Sequence, residues 1–585
     1  MTLDDAFRDI GAIFDRFAAS GAAPGCAFGV VVDGELVHVG GRGVLRIGSA
    51  GVPDADSRFR IASMTKSFTA ATILRLRDDG VLGLDDEIAK WVPELATMPR
   101  WSSDSPTITI RSLLTMSAGL PTDDPWGDRQ QSLDPASFRR FLAAGPGLAW
   151  PAGTHFEYSN LGFAILGLVI ERAAGEPYRE AVESRILEPL GLAATTYDAA
   201  GVEPADLALG YVRRDEAWIE EEMAAHGAFA PMGGLFSTVR DLGRWVAWLA
   251  DAFPARDDPA GMLPLARATR REMQDMHRPL LPELTWTAAA ELPRPLVDGY
   301  GYGLFVILDV RRGRIVGHSG GYPGYGSHMR WHPASGIGVI GLANGRYAPI
   351  SEACRDALNV LVDRETAGAR PPMWPATIAA RASVEDLLQA WDDELAGRLF
   401  AMNVDLDEPM IGRRTAIEEI GRVHGRLRPD PSEPVVSWSP AHLVWWLAGE
   451  RGRVRVEILL SPERPARIQL LELRSVPEPP TALAAVAARV SALLGRPGPA
   501  WPADLPLAAT IDRLALDREL RATEALFGPV VLGPVESGDG AKAATWRLHG
   551  ERGDVTLSLE IDPDGGTIRA VGLVPVALET PVQIA

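Results

Sequence analysis

Ser63 and Lys66 stand three residues apart in Phe59-Arg-Ile-Ala-Ser-Met-Thr-Lys-Ser-Phe-Thr-Ala70, where an apolar run begins. A serine hydroxyl is a poor nucleophile at its own pKa, and a neighbouring amine that can take its proton is one of the few ways to activate it. Phe68 to Leu76 reads as a buried helix closed by Gly80, which places the two side chains one above the other on its first turn. Unpaired N–H groups and partial positive charge at that helix start favour an oxyanion and ease proton loss from the lysine. Lysine occurs only at Lys66, Lys90 and Lys542, although the chain has 58 Lys and Arg together. Arginine could not serve at Lys66, because a guanidinium is not deprotonated at ordinary pH. Taken alone, Ser-x-x-Lys also fits a polar first turn, so its meaning rests on partners further along.

Tyr158-Ser-Asn160 ends Pro151-Ala-Gly-Thr-His-Phe-Glu-Tyr-Ser-Asn160, just ahead of a helical pattern. A phenol held beside an ammonium is expected to have its pKa lowered and to shuttle a proton between Ser63 and a leaving group. His318-Ser-Gly320-Gly321 ends a strand pattern. A glycine-rich strand edge lets a substrate backbone approach closely, and the Gly321 N–H is placed to serve as an oxyanion donor. Between the first two motifs, Pro121-Thr-Asp-Asp-Pro-Trp-Gly127 reads as a loop. Asp123, Asp124 and Trp126 are expected at the pocket rim, where the carboxylates would attract a substrate amine; the alternative is a capped turn with a packed tryptophan.

In this order, Ser63-x-x-Lys66, Tyr158-x-Asn160 and His318-x-Gly320 resemble the three active-site motifs of the penicillin-recognising serine hydrolases, a group of class C β-lactamases, D,D-peptidases, D-aminopeptidases and esterases. Leu113-Leu-Thr-Met-Ser-Ala-Gly-Leu120, Gly233-Gly-Leu-Phe-Ser-Thr-Val-Arg-Asp-Leu242 and Gly341-Leu-Ala-Asn344 are similar to the family's text as well. The resemblance implies that Ser63 is the acylated nucleophile and that Lys66 and Tyr158 transfer protons. It implies that Asn160 holds Lys66 and the substrate amide, and that the N–H groups of Ser63 and Gly321 form the oxyanion hole. His318 stands where most β-lactamases and D,D-peptidases have Lys-Thr-Gly. A histidine is largely neutral near pH 7 and holds a substrate carboxylate less well than a fixed ammonium. The expectation is therefore a D-aminopeptidase-like or esterase-like hydrolase of small amides, esters or short peptides, with a β-lactamase or D,D-carboxypeptidase as the alternative.

Two other readings compete. Gly317-His-Ser-Gly-Gly321 matches the nucleophile elbow of α/β-hydrolases with Ser319 as nucleophile. That motif needs a helix after the strand, and Tyr322-Pro-Gly-Tyr-Gly326 followed by strands does not supply one. A catalytically inactive scaffold or binding protein is the other. Metal chemistry has no support in the histidine spacing, since His328 and His332 fall in a strand and there is no His-Glu-x-x-His. No cofactor is expected.

The elements that must position these groups follow from periodicity. Leu3 to Ala19 reads as an amphipathic helix, and Asp33-Gly34 joins strands at Cys26 to Val32 and Glu35 to Gly40. Helical patterns, such as Phe163 to Ala174 and Thr238 to Ala250, dominate from Ala70 to about Ala250. Strands return at Tyr302 to Val310, Arg314 to His318, Ser327 to Trp331 and Ile337 to Ala343. Strands at both ends of a helical stretch predict an α+β fold with one antiparallel sheet flanked by a helical layer over residues 1–366, and the motif resemblance implies that this fold is β-lactamase/transpeptidase-like. Residues 367–381 read as a linker. An internal repeat follows: Trp445-Trp-Leu-Ala-Gly-Glu-Arg-Gly452 recurs as Trp546-Arg-Leu-His-Gly-Glu-Arg-Gly553. It predicts two small α+β modules, 382–476 and 481–585, with each Gly-Glu-Arg-Gly a turn between strands.

A chain of 585 residues is too long for one core. Its net charge of -19 argues against nucleic acid or an anionic membrane surface as a partner, and the resemblance implies a small molecule or short peptide as substrate. Two cysteines, Cys26 and Cys354, exclude a disulfide framework. The first residues carry two acids and no apolar core with a cleavage site, and no window nears 18 apolar residues, so a cytoplasmic protein is expected.

Overall fold

The first helix, α1 (Leu3–Ala19), buries Ile10, Ile13, Phe14 and Phe17 along one stripe and stacks Phe14 on Phe28 at 3.9 Å between ring centroids. Phe28 lies in β1 (Gly25–Val32), which turns into β2 (Glu35–Gly43) through Asp33 and Gly34. Both turn residues have positive φ, 50° and 82°, as a tight hairpin requires. These findings come from a computed structural model that describes residues 3–259, 264–280, 296–309, 312–365, 373–433, 435–494, 505–562 and 566–576.

The described residues divide into two compact units. In the first, β1 and β2 form one edge of an eight-stranded antiparallel sheet. The later strands complete it: β3 (Arg278–Pro279), β4 (Leu296–Tyr300), β5 (Phe305–Asp309), β6 (Gly313–Tyr322), β7 (Tyr325–His332) and β8 (Ile337–Ala343). The order is β2-β1-β8-β7-β6-β5-β4-β3, so the first and the last strands of this unit's sheet in sequence meet at the β1–β8 pair. β3 and β4 are additions to the expected strands, while Val310 lies outside the described residues.

Strand alternation sorts side chains between two cores. Phe28, Val30, Ile315 and Val339 pack with α1 and the helix Ile350–Glu365 on one face. Ala27, Val31, Val316, Met329 and Ile340 face the helical layer, which includes Thr65–Asp78, Asn160–Ala174 and Val239–Ala250. The predicted α+β architecture is therefore present, with the helical layer delivering Ser63, Lys66 and Asn160 to the sheet.

The second unit carries two four-stranded antiparallel sheets, each a meander with its own apolar core. The repeat holds at the level of register. Trp445 pairs with Val456 and Trp546 with Leu557, and the pairings Gly449 with Gly452 and Gly550 with Gly553 close the two expected turns. Each third strand is irregular at the same place, Leu459/Leu460 in one and Glu560/Ile561 in the other. Residues expected in a linker differ in part: the helix Pro375–Gln389 begins inside that stretch and buries Thr377 and Ala380, while 366–372 lie outside the described residues. No helix among the described residues is long and apolar enough to cross a membrane.

Candidate active site

Ser63 lies in a 3-10 turn, Ala62–Met64, that runs directly into the helix Thr65–Asp78. The preceding residue, Ala62, has φ 47°, a left-handed conformation that an L side chain adopts at a cost of order 1–3 kcal/mol. The turn is fixed from the sheet side: Ser327 Oγ donates to the Ile61 carbonyl at 2.7 Å. A Cβ on Gly320 would stand 2.3 Å from that same carbonyl oxygen, so only glycine lets β6 pass here. The pairing of β6 with β5 stops at Gly317, which leaves the edge from His318 to Tyr322 open on that side.

Lys66 is fully buried, and its Nζ lies 2.9 Å from Ser63 Oγ, 2.7 Å from Asn160 Oδ1 and 2.9 Å from the Met232 carbonyl oxygen. Two of these three are acceptors only. A neutral amine can thus place its two protons on Asn160 and Met232 and turn its lone pair to the serine hydroxyl. Burial pushes the Lys66 pKa down, and the charges of Asp124, Asp128 and Asp123 resist that shift, leaving it at about 8.

Asn160 opens the helix Asn160–Ala174, whose N-cap is Ser159. Its Nδ2 donates to Asp124 Oδ1 at 2.7 Å, which turns Oδ1 toward Lys66. Asp123 accepts from the backbone N–H groups of Asn160 and Leu161 at 2.6 and 2.8 Å. The two aspartates expected at a rim are thus tied to Asn160, Asp123 as a helix cap and Asp124 as an orienting carboxylate. Trp126 is exposed and packs against the rings of Phe141 and Phe229.

Tyr158 hydrogen-bonds Ser63, but its pKa is moved opposite to expectation, well above the usual 10. Burial is the main cause, and Tyr300, Asp124 and Asp128 act in the same direction. Lys66 Nζ sits over the Tyr158 ring, 4.8 Å from its centroid, where it favours the π face. Tyr158 is therefore a neutral phenol at this site.

His318 faces the helical side of the sheet with Val316 and contacts the rings of Tyr158, Tyr300 and Phe305. Its Nδ1 donates to the Ser319 carbonyl at 2.6 Å, so Nε2 accepts from Tyr300 Oη at 3.1 Å. Burial, with Lys66 nearby, pushes its pKa down to about 3, which makes it uncharged. Ser319 points to the opposite face, where its Oγ lies 2.8 Å from His328 Nδ1, and β6 runs into a hairpin with no helix after it. The nucleophile-elbow reading fails on that geometry. Among the described residues no group of His, Cys, Asp and Glu is arranged to hold a metal ion.

The geometry thus gathers Ser63, Lys66, Tyr158, Asn160 and His318 at one open strand edge beside Gly320 and Gly321. A family model described as Beta-lactamase matches residues 10–362. The chain belongs to the Beta-lactamase family. It is a serine hydrolase. It is 28% identical over 383 residues to the D-alanyl-D-alanine-carboxypeptidase/endopeptidase AmpH of Escherichia coli, covering 62% of this chain and 91% of AmpH. It is 24% identical over 352 residues to Protein flp of Staphylococcus aureus, covering 59% of this chain and 65% of flp. The fold is similar to that of the octameric penicillin-binding protein homologue from Pyrococcus abyssi, with a TM-score of 0.52 and 17% identity over 98% of this chain and 100% of that one.

Two residues of the site escaped the sequence reading. Tyr300, which bonds His318, sits in a run of alternating glycine and tyrosine that reads equally well as a turn. Asp128 lies one residue beyond the loop stretch singled out and carries no motif.

Proposed function

We propose that this protein cleaves an amide or ester of a small substrate through an acyl-enzyme on Ser63, and that it acts as a D-aminopeptidase-like or esterase-like hydrolase. The observation that carries the reading is the buried contact of Lys66 Nζ with Ser63 Oγ at 2.9 Å, with the lysine pKa at about 8. Neutral Lys66 takes the hydroxyl proton as Ser63 Oγ attacks the carbonyl carbon. The N–H groups of Ser63 and Gly321 receive the oxyanion. Tyr158, a neutral phenol bonded to Ser63, passes a proton to the leaving nitrogen or oxygen and recovers it through Lys66. Water then attacks the ester by the reverse route.

His318 favours a substrate without a terminal carboxylate. It is buried and uncharged, so it offers no cation to such a group, and three aspartates surround Lys66. The second reading, a D,D-carboxypeptidase, draws on the likeness to AmpH. The test is intact-mass labelling by a fluorophosphonate in wild type, Ser63→Ala and Ser319→Ala, followed by a panel of L- and D-amino acid p-nitroanilides, esters, a penicillin and a D-Ala-D-Ala peptide. Labelling is expected to vanish only in Ser63→Ala, and turnover to favour anilides and esters. No adduct on Ser63 in folded protein would overturn the nucleophile, and preferential release of D-alanine would select the second reading.

A further inference from the structure

Asp128 is 5% exposed and has no place in the proton transfers above. One of its oxygens, Oδ2, accepts from the Tyr347 phenol at 2.7 Å. The other accepts no hydrogen bond from a described residue, and no arginine or lysine pairs with the carboxylate. The open oxygen is not a fully buried unpaired atom, which leaves it free to accept from a bound donor.

Its position is fixed from both sides of the site. The residue before it, Gly127, lies against Asn160, since a Cβ there would fall 2.8 Å from the Asn160 Cβ. The Tyr347 ring lies against Gly321 on the open strand edge, with a Cβ on that glycine falling 2.7 Å from Tyr347 Cδ1. Tyr347 holds this place with φ 47°, and its N–H donates to the carbonyls of Tyr322 and Tyr325 at 3.3 and 3.1 Å. Asp128 thus sits between Asn160 and the oxyanion side, within electrostatic reach of Lys66, Tyr158 and Tyr322.

The geometry points to Asp128, steadied by Tyr347, as the group that binds the protonated amine of the substrate's acyl half, so that amino-acyl compounds with a free amine are preferred over their N-acylated forms. This rests on Ser63 being the nucleophile. The ammonium would donate to the open oxygen of Asp128 and lie beside the carbonyl under attack. Burial raises the Asp128 pKa to about 6, so the carboxylate is charged at neutral pH and the preference fades as pH falls through that value. The groups facing Asp128 are Lys66, Asp123, Asp124, Tyr158, Tyr322 and Tyr347.

The test is protection of Ser63 from a neutral fluorophosphonate, with alaninamide and N-acetylalaninamide, each in both enantiomers, as competitors. Wild type is expected to bind at least one free-amine enantiomer about tenfold or more tightly than its N-acetyl form at pH 7.5. That ratio should drop to about one in Asp128→Asn and fall in wild type toward pH 5. Tyr347→Phe should retain part of it, and Asp128→Glu should restore part. A wild-type ratio near one, or a ratio kept within threefold in folded Asp128→Asn, overturns the assignment while leaving Ser63 in place. If Asp128→Asn does not fold, the wild-type pH series decides: a ratio constant from pH 7.5 to 5 overturns it. Absence of any labelling at Ser63 overturns both this assignment and the reading beneath it.

Discussion

Replacing Lys66 with arginine separates a base from a mere cation. Burial and the surrounding aspartates leave the lysine pKa at about 8, against an ordinary value of 10.5. At pH 7 that shift raises the neutral fraction by about 300-fold, from a few hundredths of a per cent to about a tenth. Because the pKa is lowered, the reactive form is present above it and is lost as pH falls. The second-order rate of Ser63 labelling by a neutral fluorophosphonate should therefore climb about tenfold per pH unit up to about pH 8 and level off above. A phenol held well above 10 imposes no alkaline limb in that range. Lys66→Arg keeps the positive charge and offers donors to Asn160 and the Met232 carbonyl, but it has no accessible neutral form. Its labelling rate should fall by about a thousandfold or more, with no limb near pH 8. Retention of the rate within tenfold in Lys66→Arg, or a wild-type limb centred near pH 6, would refute Lys66 as the base.

Two further changes probe how the site is held. Gly320→Ala puts a methyl 2.3 Å from the Ile61 carbonyl and 2.2 Å from Ser327 Oγ, so β6 and the nucleophile's turn must separate. It should lower stability by about 1–3 kcal/mol and reduce Ser63 labelling more than a hundredfold, checked by thermal melting and intact mass. Asp123→Ala removes the carboxylate that accepts from the Asn160 and Leu161 N–H groups and should cost about 1–2 kcal/mol in denaturant unfolding, with Asn160→Ala in the same background losing little more labelling than alone.

Much of the site was legible because its chemistry depends on spacing along regular elements. Ser63 and Lys66 are three residues apart at the start of one helix, and the Asp33-Gly34 hairpin, α1 and the last sheet strands obey simple periodicities. Ionisation was less legible. Tyr158 was expected to be more acidic beside an ammonium, yet its ring face meets Lys66 and its hydroxyl is buried, and no sequence pattern reports which part of a ring a charge approaches. Asp123 and Asp124 were recognised as residues near the site, with a pocket rim and a capped turn both left open. A carboxylate at a loop rim and a carboxylate capping the next helix look the same until the loop is folded onto Asn160. β3 and β4 escaped for another reason: β3 is two residues long and the pattern of β4 is interrupted by Asp298-Gly299.

The aspartates connect the base to the substrate preference inferred above. Burial alone would drive the Lys66 pKa further down, and Asp124, Asp128 and Asp123 hold it near the working range by stabilising the ammonium. Asp128→Asn therefore has two separable consequences. Loss of the negative charge should move the acylation limb of Lys66 to lower pH, which makes a neutral probe react faster on that limb. Loss of the ammonium partner should weaken binding of amine-bearing competitors at the same time. A carboxylate that only tuned the base would give the first effect without the second. One that served only as a buried support for Tyr347 would give neither selectively, since both competitors and the neutral probe would suffer together as Tyr347 left Gly321. The pair of readouts, limb position with a neutral probe and competitor ratio at fixed pH, distinguishes these three roles in one protein and its single variant.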